Sequence, residues 1–206
     1  MLKKLFGSKS AQKVKGAAII IVSGLPRSGT SMMMNMLSEG GLSILSDSVR
    51  KPDGDNPNGY FEYEAVKRLS DGETQWLAGT GRKGVKVISA LLEYLPPIHH
   101  YKILFMDRRI SEILSSQRKM LAGRSEPSGV SDLEMEQEFT KHLAAVKFWL
   151  ARQPNIDVLY VNYNKMMAEP GPACQAVADF LELPLNIEKM HSVPNVRLYR
   201  NRSSHS

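Results

Sequence analysis

Ala17-Ala18-Ile19-Ile20-Ile21-Val22-Ser23-Gly24-Leu25-Pro26-Arg27-Ser28-Gly29-Thr30-Ser31 is the stretch on which the fold turns. Ala17 to Ser23 is a short apolar run rich in isoleucine that ends at a glycine, the pattern of a strand buried on both faces. Thr30 to Glu39 has helical character and stops at Gly40-Gly41. In a strand–loop–helix unit of this kind, backbone N–H groups and the helix N-terminus converge on one point and favour an anion there. Gly24 and Gly29 let the chain curl closely around it without a Cβ in the way.

Working outward, residues 46–59 are rich in Asp, Asn, Pro and Gly and read as a loop. A helix is expected over Glu62–Leu69, a second strand over Val85–Ser89 and a third over Tyr101–Asp107. A helix follows from Ile110 to Met120, with Ile110, Ile113, Leu114 and Gln117 on one side. Asp132 to Arg152 is the clearest helix, with Phe139, Leu143, Val146 and Leu150 as its apolar stripe and acids at its start. Ile156–Val161 reads as a fourth strand and Pro172–Leu181 as a last helix. Strands alternating with helices predict an α/β fold: a three-layer P-loop-type domain whose central parallel sheet has about four to five strands. Residues 1–16 read as a mobile basic lead-in and residues 17–206 as one such domain.

The 206 residues, 42% of them hydrophobic, suffice for one sizeable core. The formal charge of +6 invites a nucleic-acid reading, but its placement argues against one. Residues 1–16 hold five lysines and no acid, and residues 192–206 three arginines and no acid, so the remainder nets −2 and carries no basic stripe. A lone Cys174 forms no internal disulfide and fits a reducing, cytoplasmic setting. The longest strongly apolar run is far too short to span a bilayer, and no secretory signal is expected.

The glycine spacing of the loop matches the nucleotide-triphosphatase pattern G-x-x-x-x-G-K-S/T, with one departure: Thr30 stands in the lysine position, and the nearest cation, Arg27, lies inside the loop. A triphosphatase uses that lysine and Mg²⁺ to neutralise the β- and γ-phosphates. Without it, the loop suits a single 5′-phosphate carrying a transferable group. Pro26-Arg27-Ser28-Gly29-Thr30-Ser31 resembles the 5′-phosphosulfate loop of the sulfotransferase family, and the resemblance extends over roughly residues 17 to 202. Asp55-Asn56-Pro57-Asn58-Gly59-Tyr60-Phe61-Glu62 is similar to a segment common in small bacterial members. Phe180-Leu181-Glu182-Leu183-Pro184 and Leu198-Tyr199-Arg200-Asn201-Arg202 resemble elements that follow the last core helix.

The resemblance implies a sulfuryl transfer from 3′-phosphoadenosine 5′-phosphosulfate (PAPS), leaving 3′-phosphoadenosine 5′-phosphate (PAP). It places Arg27, Ser28, Gly29, Thr30 and Ser31 at the 5′-phosphate. The family's second nucleotide motif is an arginine ending a strand with a serine eight residues later, here Arg108 and Ser116. The tandem Arg108-Arg109 leaves open which of the two points inward. Arg108, at the carboxyl edge of a strand, is placed to fork onto a phosphate. Tyr163 occupies the position of a tyrosine that the family places near the adenine, and Arg197, Arg200 and Arg202 are either a closing basic element or a frayed tail.

Transfer requires charge stabilisation on the departing oxygen and a base for the acceptor. Arg27 is the first candidate for the former, and Lys86, where the family often has a functional lysine, the second. Many members have a histidine two residues on; here that residue is Ile88. His99, His100, His142, His191 and His205 fit solvated surface positions better than catalysis. Glu62 is the candidate base, since other branches use a glutamate; its alternative role is a helix-start residue. No Cys/His cluster suggests a metal. The acceptor is a small molecule or a glycan, and the sequence does not give an oligomeric state. Two other functions fit the same loop: a nucleoside or nucleotide kinase, with Asp107 as a Mg²⁺ ligand, and a non-catalytic PAP-binding protein.

Overall fold

The structure, a computed structural model, describes residues 17–47, 49, 59–123 and 131–194. The expected lead-in, most of the loop and Arg197, Arg200 and Arg202 lie outside the described residues.

Five strands form one sheet in the order β2-β3-β1-β4-β5, and every pairing is parallel. They are β1 (Ile19–Gly24), β2 (Ile44–Leu45), β3 (Gly84–Lys86), β4 (Tyr101–Asp107) and β5 (Ile156–Asn162). The helices are α1 (Thr30–Glu39), α2 (Gln75–Ala78), α3 (Ile110–Gly123), α4 (Asp132–Leu150), α5 (Tyr163–Ala168), α6 (Pro170–Leu181) and α7 (Ile187–His191). The expected α/β architecture is thus what the chain adopts.

The period of two along a strand divides the apolar runs between two cores. Ile20, Val22, Leu104 and Met106 face one layer, with Met33, Met34, Met36 and Leu37 of α1, Cys174 and Val177 of α6 and Met190 of α7. Ile19, Ile21, Val85, Ile103 and Phe105 face the other, with Leu150 of α4. Each such aliphatic residue is worth about 1.5–3 kcal/mol when fully buried, which explains why β1 and β4 carry no solvent-facing alternation. The methionines at 33, 34, 166 and 167 are core residues.

Several boundaries differ from the sequence expectation. The helix expected over Glu62–Leu69 is a 3₁₀ helix, Glu64–Asp71. Its buried residues, Val66 and Leu69, are three apart, and three residues per turn keep both on the sheet. The strand expected to reach Ser89 stops at Lys86, because Ser89–Tyr94 is also a 3₁₀ helix, with Ser89 and Leu92 buried at the same spacing. α6 starts at Pro170 rather than Pro172, with proline in its first turn, where the missing N–H costs nothing. α4 ends at Leu150, and Arg152 Nη1 still donates to the Phe148 carbonyl at 2.9 Å, a C-terminal role for that arginine. At the other end, Ser131 and Glu134 form a capping box, and the Ser131 hydroxyl and amide hold the Glu134 carboxyl below its usual range. Four short elements, β2, α2, α5 and α7, were not expected from the sequence.

Candidate functional site

The parallel sheet brings the ends of β1, β3, β4 and β5 to one edge, where Gly24, Lys86, Asp107 and Asn162 lie. The loop between β1 and α1 turns tightly there, with Ser28 N–H donating to the Leu25 carbonyl at 3.1 Å. Gly24 has φ +145° and Gly29 φ +103°, both in the region that favours glycine. At Gly29 a side chain is excluded twice over, since a Cβ would lie 2.4 Å from Tyr163 Cδ2. Arg27 itself is left-handed, φ +69°, an unusual conformation for a residue with a side chain.

The contacts around Arg27 explain how that conformation is held. Arg27 Nε donates to Ser116 Oγ at 2.9 Å, across 89 residues of sequence. Arg108 Nη1 donates to the Arg27 carbonyl at 3.0 Å. The loop and the strand-end motif therefore meet at one residue. Of the tandem arginines, Arg108 is the one that points inward: its side chain is 7% exposed, against 46% for Arg109. Its guanidinium also lies 4.2 Å from the centre of the Tyr163 ring. Tyr163, expected from the resemblance beside an adenine, is wedged between Gly29 and Arg108 and supports the loop from below.

The Ser28 hydroxyl is the chemical clue to what the loop holds. Ser28 is 1% exposed, and its Oγ has no hydrogen-bond partner among the described residues. A buried hydroxyl left so costs roughly 1–3 kcal/mol, and a bound anion's oxygen would satisfy it. Thr30 and Ser31 begin α1, so their N–H groups belong to the first turn.

The second group of candidates assembles on the Tyr60 carbonyl. Lys86 Nζ donates to it, and Ser31 Oγ donates to the same oxygen at 3.4 Å. Glu62 Oε1 lies 3.7 Å from Lys86 Nζ, with the Lys86 side chain 9% and the Glu62 side chain 23% exposed. Phe61 between them has φ +51°, which turns Tyr60 and Glu62 towards the same lysine. Ile88, two residues after Lys86, is exposed.

Two residues with roles here went unnoticed in the sequence. Glu112 is buried; its Oε2 accepts from Arg108 Nε at 3.1 Å and its Oε1 from Asn164 Nδ2 at 2.8 Å, with Arg109 Nη1 at 3.8 Å. The available signal was the four-residue spacing between Arg108, just ahead of α3, and Glu112 in its first turn. Other expectations are revised by contact. His142 is not simply solvated: its Nε2 lies 2.8 Å from Ser89 Oγ, pinning α4 to the segment after β3. His100 pairs with Asp157 at the amino end of the sheet, away from the loop. Asp107, the aspartate a kinase would present to Mg²⁺, is paired with Lys147 of α4 at 2.9 Å. Arg200 lies outside the described residues. Among the described residues no helix is long and apolar enough to cross a membrane.

No protein-family model matches the sequence, and no curated protein matches it. Solved structures do match. The sulfotransferase domain of the Synechococcus PCC 7002 olefin synthase aligns over 94% of this chain and 86% of its own, with TM-score 0.53 and 11% identity. Mouse sulfotransferase SULT7A1, solved with PAP, aligns over 91% and 67%, with TM-score 0.55 and 13% identity. Sulfotransferase STF9 from Mycobacterium avium aligns over 91% and 69%, with TM-score 0.52 and 12% identity. At such identities the likeness concerns backbone alone, and on that ground the chain has the fold of the sulfotransferases.

Proposed function

We propose that the chain is a PAPS-dependent sulfotransferase that passes a sulfuryl group to a hydroxyl or amine of a small molecule or glycan. The observation that carries this is the convergence on Arg27: an anion loop with Thr30 in the triphosphatase lysine position and its cation, Arg27, inside the loop, joined to Ser116 and Arg108. Support also comes from the fold, since one of the structures it matches was solved with PAP.

PAPS supplies, when bound, an activated sulfuryl group on a 5′-phosphate that departs as PAP. The residues present fit that co-substrate. The loop N–H groups, Ser28 Oγ and the Thr30 and Ser31 hydroxyls hold a 5′-phosphate, and the Arg27 guanidinium neutralises it. Arg108, held by Glu112 and by the Arg27 carbonyl at the carboxyl edge of the sheet, serves with Ser116 to select a 3′-phosphate. Lys86 stabilises charge on the departing bridging oxygen. Glu62, beside Lys86, takes the acceptor's proton.

Thermal-shift screening with PAP, ATP-Mg²⁺ and ADP tests the nucleotide assignment, and a sulfate-transfer assay over a panel of phenols, alcohols, amines and glycans tests the activity. PAP should stabilise the protein and ATP-Mg²⁺ should not. The reverse would establish the kinase alternative. PAP binding with no transfer to any acceptor class would favour a non-catalytic PAP-binding protein.

A further inference from the structure

We propose that Glu112 is a positioning residue, which orients the Arg108 guanidinium and through it holds the anion loop in its left-handed turn. The chain of contacts runs over four elements. Asn164 of α5 donates to Glu112 Oε1 at 2.8 Å; Glu112 Oε2 of α3 takes Arg108 Nε at 3.1 Å; Arg108, after β4, donates to the Arg27 carbonyl at 3.0 Å. The end of the chain is the residue that needs support. A non-glycine at φ +69° persists only where its surroundings over-determine it, and the Arg27 carbonyl receives its charged partner there. The Tyr163 ring centre lies 4.2 Å from the guanidinium, and Glu112 takes its Nε, so Arg108 is held both by an aromatic face and by a carboxylate.

Electrostatics alone argues against a carboxylate at this place. Glu112 is 1% exposed and sits beside a site whose other charges, Arg27, Arg108 and Arg109, are all positive. A buried negative charge lowers the attraction for an anion. Removing it should therefore tighten anion binding if charge alone mattered, and weaken it if orientation matters. The two accounts differ in sign.

The inference rests on the sulfotransferase assignment for its choice of ligand. Titrations of wild type, Glu112→Gln, Arg108→Ala and the double variant with PAP, AMP and inorganic pyrophosphate test it, with melting temperatures recorded for each. Glutamine keeps an oxygen for Arg108 and removes the charge. The expected result is PAP affinity about three- to tenfold weaker, since charge-assisted bonds are about twice as strong as neutral ones. The preference for PAP over AMP should fall as well, and Glu112→Gln should add nothing in the Arg108→Ala background. Unchanged or tighter PAP binding would overturn the proposal. So would an equal loss for PAP and AMP with a lowered melting temperature, which a merely structural role produces, or an undiminished loss in the Arg108→Ala background. If Glu112→Gln does not fold, Asn164→Ala removes one bond to the same carboxylate, and PAP binding unchanged in that variant would equally end the idea. Wild type that binds pyrophosphate but not PAP would sink the sulfotransferase assignment while leaving the relay to be read on pyrophosphate. Wild type that binds neither would sink both.

Discussion

The two halves of the candidate site are built differently. On the loop side, Arg27, Arg108, Glu112, Ser116 and Asn164 come from the β1–α1 loop, the end of β4, α3 and α5 and are joined by side-chain hydrogen bonds of 2.8 to 3.1 Å, with the Tyr163 ring 4.2 Å from the Arg108 guanidinium. On the Lys86 side, at the same edge of the sheet, Lys86 pairs with Glu62 at 3.7 Å, and Lys86 and Ser31 both donate to the backbone carbonyl of Tyr60. The first is over-determined; the second hangs on the segment Gly59–Glu62. A site for a fixed nucleotide gains from rigidity, because the ligand never changes. A site for an acceptor that differs between relatives gains from a wall that a loop can rebuild. Under the proposed function, the comparison teaches that the donor and acceptor ends of one reaction need not share one standard of pre-organisation.

The substitution with the largest expected effect attacks the rigid half. Gly29→Ala forces a Cβ to within 2.4 Å of the Tyr163 ring at φ +103°. Strain at such a φ costs about 1–3 kcal/mol and overpacking about 1–3 more. PAP binding should be lost and the melting temperature should fall by about 5–20 °C. A variant that melts and binds like wild type would show that the loop is not over-determined, and the contrast would collapse.

The next test attacks the other half. Glu62→Gln should lower turnover by about two to four orders of magnitude, the usual worth of a general base, while PAP affinity stays unchanged. Glu62 pairs with Lys86, on the other half of the site from Arg27 and Arg108, so the two readouts separate. Near-normal turnover across pH 6 to about 9 would return Glu62 to the role of a helix-start residue. Arg27→Ala comes third. One charge-assisted contact is worth about 1.5–3 kcal/mol, so PAP should bind about tenfold to a hundredfold more weakly, with slower transfer. The fold should survive, because the Arg27 carbonyl that Arg108 holds is backbone and remains. Unchanged affinity by calorimetry would remove Arg27 from the site.

The same contrast explains what the sequence revealed. Loop, strand end and Ser116 were legible because phosphate chemistry fixes residue types at fixed spacings along single elements. β1, β4 and α1 were legible because their apolar runs are long and end at glycines or charges. Glu112 and Asn164 were not, since a buried i,i+4 ion pair looks in sequence like any surface pair of the same spacing. Nor was the wedge of Tyr163 under Gly29, which depends on how α5 turns after β5. The 3₁₀ helices escaped because apolar residues three apart also suit an α-helix, and β2 because two residues carry no period.

The smallest expected effect sharpens the comparison most. Ile88 is 43% exposed, and its φ −63° and ψ +149° are open to any residue. It stands two residues after Lys86 in extended backbone, so both side chains emerge on one face, while Val87 turns into the opposite core. Histidine there should change stability by no more than about 0.5 kcal/mol. It should also land beside Lys86 and Glu62, where many sulfotransferases have their base. In the wild-type background, with Glu62 in place, Ile88→His should alter turnover less than about threefold, because a second base adds little to a step already served. In the Glu62→Gln background it should recover about tenfold of the lost turnover, with a new limb in the pH profile near the ordinary histidine value of about 6.5. Recovery would mean that the acceptor half tolerates a change of base without rebuilding, as a loosely joined wall should. If histidine recovers nothing, residue 88 and Glu62 do not face the same acceptor. If Ile88→His alone raises turnover by orders of magnitude, the seat of the base is position 88, and Glu62 serves only to balance Lys86.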